Sequence, residues 1–170
     1  MIRELKVEDK DAYIDFVNDH TDENENDPAL VSPPSDFMDY LVELEKRKTS
    51  PREGFVPVTR YFLFFNSKIA GYVDCRWSLT EATLQYGGHI GYNIAPSYRG
   101  QGLSKDLLTF ALEQYNNSNF EKVLLTVDED NIASKKSIEK KGGVMENSYY
   151  YEGKLHCRYW IPLNYRNEMK

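Results

Sequence analysis

Apolar and polar positions change period several times along this chain, and each change marks an element. Leu103, Leu107, Ala111 and Tyr115 recur at every fourth position and predict one face of a helix. Tyr13, Phe16 and Val17 do the same within Asp9–Asn18. Phe37, Tyr40, Leu41 and Leu44 form the stripe of a further helix, which Ser35 is placed to cap and whose first turn carries Asp36 and Asp39 against the positive helix end. Val58–Phe65 and Ile69–Ser78 have a period of two about the turn Asn66-Ser67-Lys68, which predicts a hairpin. In its second strand Ile69, Gly71, Val73, Cys75 and Trp77 fall on one face and Ala70, Tyr72, Asp74 and Arg76 on the other, so one face is expected to be the better buried. Ile2–Lys6 reads as a short strand, Leu79–Tyr86 as a connection, and Lys122–Asp128, with its continuous apolar run, as a strand covered on both faces.

The chain is organised around one junction. His89–Ala95 is rich in strand formers, Pro96 stops the strand by withholding an N–H, and a glycine turn then opens the helix of Leu103 to Tyr115. At a helix start the first N–H groups have no partner inside the helix and the dipole is positive, so this turn suits an anion such as phosphate. Two common phosphate loops do not fit. The triphosphate loop needs a Lys-Ser/Thr pair directly after its last glycine, and the dinucleotide turn needs a third glycine where Lys105 stands. A second strand–helix junction follows, where Asn131 is placed to cap Ile132–Lys141 and Gly142-Gly143 ends it. Val144–Tyr151 and Leu155–Leu163, around Glu152-Gly153-Lys154, close the pattern as an antiparallel hairpin. This order of elements implies a mixed sheet with helices on its faces.

Composition narrows the function. With 170 residues the chain is long enough for a full core without staples; residues 1–165 are expected to form a single domain and 166–170 a short tail. The 27 acidic side chains outnumber the 21 basic ones, giving a net charge of −6, which argues against a nucleic-acid surface and suits a cationic small-molecule partner. Five carboxylates crowd into Asp19–Asp27, which reads either as a solvated loop or as a rim attracting such a cation. No apolar run has the length of a membrane span, and Arg3, Glu4 and Lys6 place charge too early for a secretory signal, so a cytoplasmic protein is expected. Cys75 and Cys157 lie in strand-like segments without metal spacing and read as buried thiols.

The motifs add a resemblance. Arg99-Gly100-Gln101-Gly102-Leu103-Ser104 resembles the R-x-x-G-x-[G/A] acetyl-CoA pyrophosphate turn of the GNAT superfamily of acyl-CoA N-acyltransferases, with Ser at the last place. Asn131 to Ser134, in a helix ending Lys140-Lys141-Gly142-Gly143, resembles the N-x-x-[AS] helix of the same enzymes. Tyr86-Gly87-Gly88-His89-Ile90-Gly91-Tyr92 and Arg158-Tyr159-Trp160-Ile161 are similar to a bacterial branch of predicted acetyltransferases, and the resemblance runs from Met1 to Leu163. It implies an α/β GNAT fold, with a central mixed, mostly antiparallel sheet of about six to seven strands flanked by about four helices. It further implies acetyl-CoA as co-substrate, Ile94 and Ala95 pairing with the pantetheine arm, the N–H groups from Gly100 to Ser104 holding the pyrophosphate, and Asn131 facing the pantetheine near the thioester. A homodimer is compatible with such a domain.

The implied reaction is attack of an amine on the acetyl thioester, which needs a deprotonated amine and a donor for the developing oxyanion. His89 is the candidate base, since it stands on the central strand where many of these enzymes carry Glu; the competing reading is a structural hydrogen-bonding histidine. Ile138 occupies the place of the Tyr that often protonates the thiolate, and Thr126 that of a Glu found in some members. Tyr149, Tyr150, Tyr151 and Tyr159 border the acceptor side by the same resemblance, although aromatic strand packing is the simpler reading of them. These departures leave two readings: an N-acetyltransferase acting on a small, cationic amine acceptor, or an acyl-CoA-binding sensor module of the same fold without turnover.

Overall fold

The computed structural model describes residues 1–20 and 36–163. In chain order the elements are β1 (Ile2–Arg3), α1 (Lys10–Asp19), α2 (Phe37–Thr49), β2 (Val58–Phe65), β3 (Lys68–Arg76), α3 (Glu81–Gln85), β4 (Ile90–Ile94), α4 (Ser104–Asn116), β5 (Lys122–Asp128), α5 (Ile132–Lys140), β6 (Val144–Tyr151) and β7 (Lys154–Pro162). The expected α/β architecture is present. Its strands fall into two antiparallel sheets, ordered β1-β2-β3-β4 and β5-β7-β6, with no continuous ladder between β4 and β5.

Two cores explain the layering. Leu107, Leu108, Ala111 and Tyr115 of α4 and Ile138 of α5 pack with Val73 and Cys75 of β3, Val123, Leu125 and Val127 of β5, and Cys157, Tyr159 and Ile161 of β7. Tyr13, Phe16 and Val17 of α1 and Phe37 and Tyr40 of α2 cover the other side of the first sheet through Phe62, Phe64, Ile69 and Tyr72. β3 is therefore apolar on both sides, which corrects the expectation of one better-buried face. The strict alternation fails too: Leu63 pairs with Gly71 while Phe64 pairs with Ile69, so Ala70 is an extra, bulged residue. One inserted residue inverts the parity, placing Ile69 in the same core as Tyr72 and Ala70 in the same core as Val73.

Two local expectations change. Asp36, not Ser35, caps α2, its Oδ1 accepting the Met38 N–H at 2.8 Å; Ser35 lies outside the described residues. The connection expected at Leu79–Tyr86 contains α3, because Thr80 and Thr83 each accept the other's backbone N–H, at 3.1 and 2.7 Å. Of the acidic stretch Asp19–Asp27, only Asp19 and His20 lie within the described residues. The Asp19 carboxylate accepts both the Ser97 N–H, at 3.1 Å, and the Ser97 hydroxyl, at 2.6 Å, tying the end of α1 to the segment after β4. No described helix is long and apolar enough to cross a membrane.

Candidate active site

The two sheets meet at His89. Its N–H donates to the Leu124 carbonyl at 2.8 Å, and the Leu124 N–H donates to His89 Nδ1 at 2.9 Å. The backbones can approach this closely because Gly88 has no side chain: a Cβ there would lie 2.4 Å from the Leu124 oxygen. The His89 ring is 7% exposed and packs edge-on against Tyr115 and Phe120. Burial, and then the positive charge of Arg76, lower its pKa to about 4. An imidazole whose unprotonated nitrogen already accepts a protein N–H has no lone pair left for an ammonium. This geometry favours the competing structural reading of His89, as the pin between the sheets, over a role as base.

Beyond this pin, β4 continues toward the glycine turn with one edge unladdered. Its other edge pairs with β3, where Gly71 lies opposite Ile94 and Asp74 opposite Gly91. The Ala95 N–H donates to Ala70 O and the Ala95 carbonyl accepts from Tyr98 N–H, both at 2.8 Å, so its backbone groups are engaged within the protein. Alternation along the strand turns the backbone groups of Tyr92 and Ile94 the other way, toward β5. Of the two residues expected to pair with pantetheine, Ile94 alone lies on the unladdered edge. The Ile94 carbonyl accepts from Arg99 Nε at 3.0 Å, which holds Arg99 back against the strand end. Gly100 and Gly102 both take φ of +77°, the left-handed region that turns the chain into α4 and that side chains rarely adopt. Leu103, at the start of α4, makes no side-chain cap, and the backbone N–H groups from Gly100 to Ser104 find no backbone acceptor among the described residues. Unpartnered N–H groups at a helix start are of the kind that can receive an anion.

On the α2 side of the first sheet lies a cleft of about 930 Å³. α2 and residues 50–58 form one wall, Thr80 to Thr83 the other, and β2, β3 and β4 the floor. Arg60 and Asp74 face each other across β2 and β3 and form a two-pronged ion pair, with both N···O distances 2.7 Å. The guanidinium carbon of Arg60 also lies 3.9 Å from the centre of the Tyr72 ring. Asp74 holds the Arg60 pKa above its ordinary value although burial opposes this. Arg76 continues the same face and donates through Nη1 to the carbonyls of Gly87 and Gly88, at 3.4 and 3.1 Å. The cleft floor thus reaches the pin and the neighbouring edge of β4.

The acetyltransferase (GNAT) family matches residues 15–143. The chain belongs to this family. A GNAT acetyltransferase from Streptococcus pneumoniae is 20% identical, with a TM-score of 0.67 over 96% of this chain and 98% of that one. RimL, a ribosomal-protein alpha-N-acetyltransferase in complex with coenzyme A, is 16% identical, with a TM-score of 0.67 over 96% and 94%. A spermidine N-acetyltransferase SpeG chimera from Vibrio cholerae and hSSAT is 18% identical, with a TM-score of 0.63 over 95% and 96%. No curated protein sequence matches the chain. At these identities the structural likenesses carry the fold.

Asn131 caps α5, its Oδ1 accepting the Ser134 N–H at 3.2 Å, and is itself exposed. Tyr92 reaches from β4 to the same helix, its hydroxyl 3.2 Å from Ser134 Oγ. Ile138 is 1% exposed in the core, and Thr126 Oγ1 accepts the Gly87 N–H at 3.0 Å, so neither offers an acid or base. Tyr159 donates to Glu139 at 3.1 Å, Tyr151 stacks on Tyr86 at 4.2 Å and Tyr150 is exposed, while the buried Tyr149 hydroxyl has no partner among the described residues. Sequence reasoning passed over Arg60, Asp74 and Arg76, which line the cleft. A signal was present: Asp74 and Arg76 are charges on one face of a strand that is otherwise apolar.

Proposed function

We propose that the chain transfers the acetyl group of acetyl-CoA to a primary amine of a small acceptor by direct attack in a ternary complex. The observation that carries this is the cradle of N–H groups from Gly100 to Ser104, set at the end of the β4 edge that faces β5. In this reading the cradle and Arg99 hold the pyrophosphate, and the edge at Ile94 and Tyr92 pairs with the pantetheine arm. Asn131 and Ser134 border the arm from α5. The acceptor enters from the cleft on the α2 side. Its nitrogen attacks the thioester carbonyl, the C–N bond forms as the C–S bond breaks, the amine proton passes to solvent and the CoA thiolate takes up a proton in turn. A thioester is already activated, and a thiol of pKa about 8.5 leaves without a dedicated acid, so positioning supplies much of the rate. The ammonium form of the acceptor is a cation, which the acidic segment Asp19–Asp27 supports by attraction.

Release of free thiol from acetyl-CoA across a panel of primary amines tests the proposal, with mass spectrometry of the acetylated amine. Amine-independent hydrolysis alone, or CoA binding with no turnover, would defeat it. The second reading, a non-catalytic acyl-CoA sensor, is favoured by one observation: His89 and Ile138, at two positions where catalytic groups are expected, are both committed to the core.

A further inference from the structure

We infer that the cleft on the α2 side recognises an acceptor carrying a carboxylate beside its amine, and that Arg76 binds this carboxylate. The inference rests on the acetyl-transfer reading and names its substrate class. A chain with a net charge of −6 gathers five basic side chains against three carboxylates along this one cleft. Local inversion of the overall sign is the field an anionic group requires. Most of these charges are already matched. Arg60 is held by both oxygens of Asp74 at 2.7 Å, and Arg47 and Arg52 share Glu43 at 2.8 and 3.4 Å.

Arg76 differs. Its Nη1 spends its protons on the Gly87 and Gly88 carbonyls, and among the described residues no carboxylate bonds to it. Nη2 and Nε remain, and side by side they form the edge of a guanidinium that takes a carboxylate through two parallel hydrogen bonds. The group is fixed in place: Nη1 and Nη2 lie 3.5 and 3.7 Å from where a Cβ on Gly91 would stand, flat against β4. Its carbonyl partners therefore orient the guanidinium, while Gly91 leaves it room next to the strand where pantetheine is proposed to end. Val42, Phe55, Val56 and Val58 supply an apolar wall for the body of the acceptor. The chemistry fits an amino acid with an apolar side chain: carboxylate on Arg76, side chain on the wall, and amine free to face the thioester. The cation predicted from the sequence becomes one end of a zwitterion.

The test compares matched amines with the intact protein and acetyl-CoA: L-phenylalanine against phenethylamine, and L-lysine against cadaverine. The expected result is kcat/KM at least ~10-fold higher for each carboxylate-bearing partner, and loss of that ratio in Arg76→Gln, read as the ratio itself so that any general loss of activity cancels. Because Arg76 also supports the Gly87–Gly88 turn, Arg76→Lys is measured beside it; a single ammonium keeps the charge and should retain only part of the preference. A readout independent of turnover is the Arg76 Nε–H resonance, which should shift on adding L-phenylalanine and stay in place with phenethylamine. Acetylation of both members of each pair at equal efficiency would overturn this inference and leave acetyl transfer standing. Failure of every amine with no resonance shift would overturn both. A shift without turnover would support the carboxylate site and overturn acetyl transfer.

Discussion

His89 and Leu124 exchange two hydrogen bonds, backbone to carbonyl at 2.8 Å and backbone to imidazole Nδ1 at 2.9 Å. With the Tyr115 hydroxyl 3.0 Å from the His89 carbonyl and 2.8 Å from that of Arg76, this pair fixes where the two sheets stop touching. It also hands the Arg76 side chain its carbonyl partners at Gly87 and Gly88. A histidine used in this way should reveal itself in stability before it does so in chemistry.

His89→Ala is expected to cost about 2–4 kcal/mol in urea unfolding, from lost packing and an orphaned Leu124 N–H. His89→Asn, whose side-chain oxygen can accept that N–H, should recover part of it. The pKa depressed to about 4 gives a sign as well. The ring is neutral in both states above the unfolded pKa of about 6.5, so its contribution is complete there and is lost as pH falls toward 4, by roughly 3 kcal/mol in total. Unfolding curves from pH 7 to pH 4 should show this slope in the wild type and a flatter one in the Asn variant. An acidic limb of kcat/KM that disappeared in a fully folded Asn variant would restore a catalytic role.

Gly102→Glu should abolish measurable CoA binding in calorimetric titration, since it brings a carboxylate to the N–H cradle. At φ of +77° any side chain adds strain, so Gly102→Ala is the control, expected to lose about 1 kcal/mol of stability and to keep most of its CoA affinity. Equal affinities for the two variants would count against the cradle.

Asp74→Asn leaves the buried guanidinium of Arg60 without its counter-charge and is expected to destabilise by about 3–5 kcal/mol. Asp15→Asn, which breaks an exposed pair with Lys68 at 3.0 Å, should leave stability nearly unchanged because water already screens the pair. Chemical denaturation of both variants measures the contrast.

Tyr149→Phe removes a buried hydroxyl with no partner among the described residues, so stability should hold or rise, by up to about 1 kcal/mol. Turnover should be unchanged if the hairpin tyrosines only pack. A fall in kcat at constant Tm would instead assign Tyr149 the proton donated to the leaving thiolate.

The sequence by itself determined most of the elements and the glycine turn that opens α4. Helical stripes such as Leu107, Ala111 and Tyr115 and the glycines of the turn act through local periodicity and φ preference, which no distant contact has to supply. What lay between sequence-distant segments was decided only by the tertiary structure. His89 reads as a base until Leu124, thirty-five positions on, takes its lone pair. Ala95 reads as a pantetheine contact until Ala70 takes its N–H, through a bulge that also inverts the faces of β3. Arg76 reads as one charge among many until Asp74 has been claimed by Arg60 and the Gly87–Gly88 turn has oriented its guanidinium. Hydrogen-bonding capacity belongs to a residue, but which partner consumes it is a property of the folded chain.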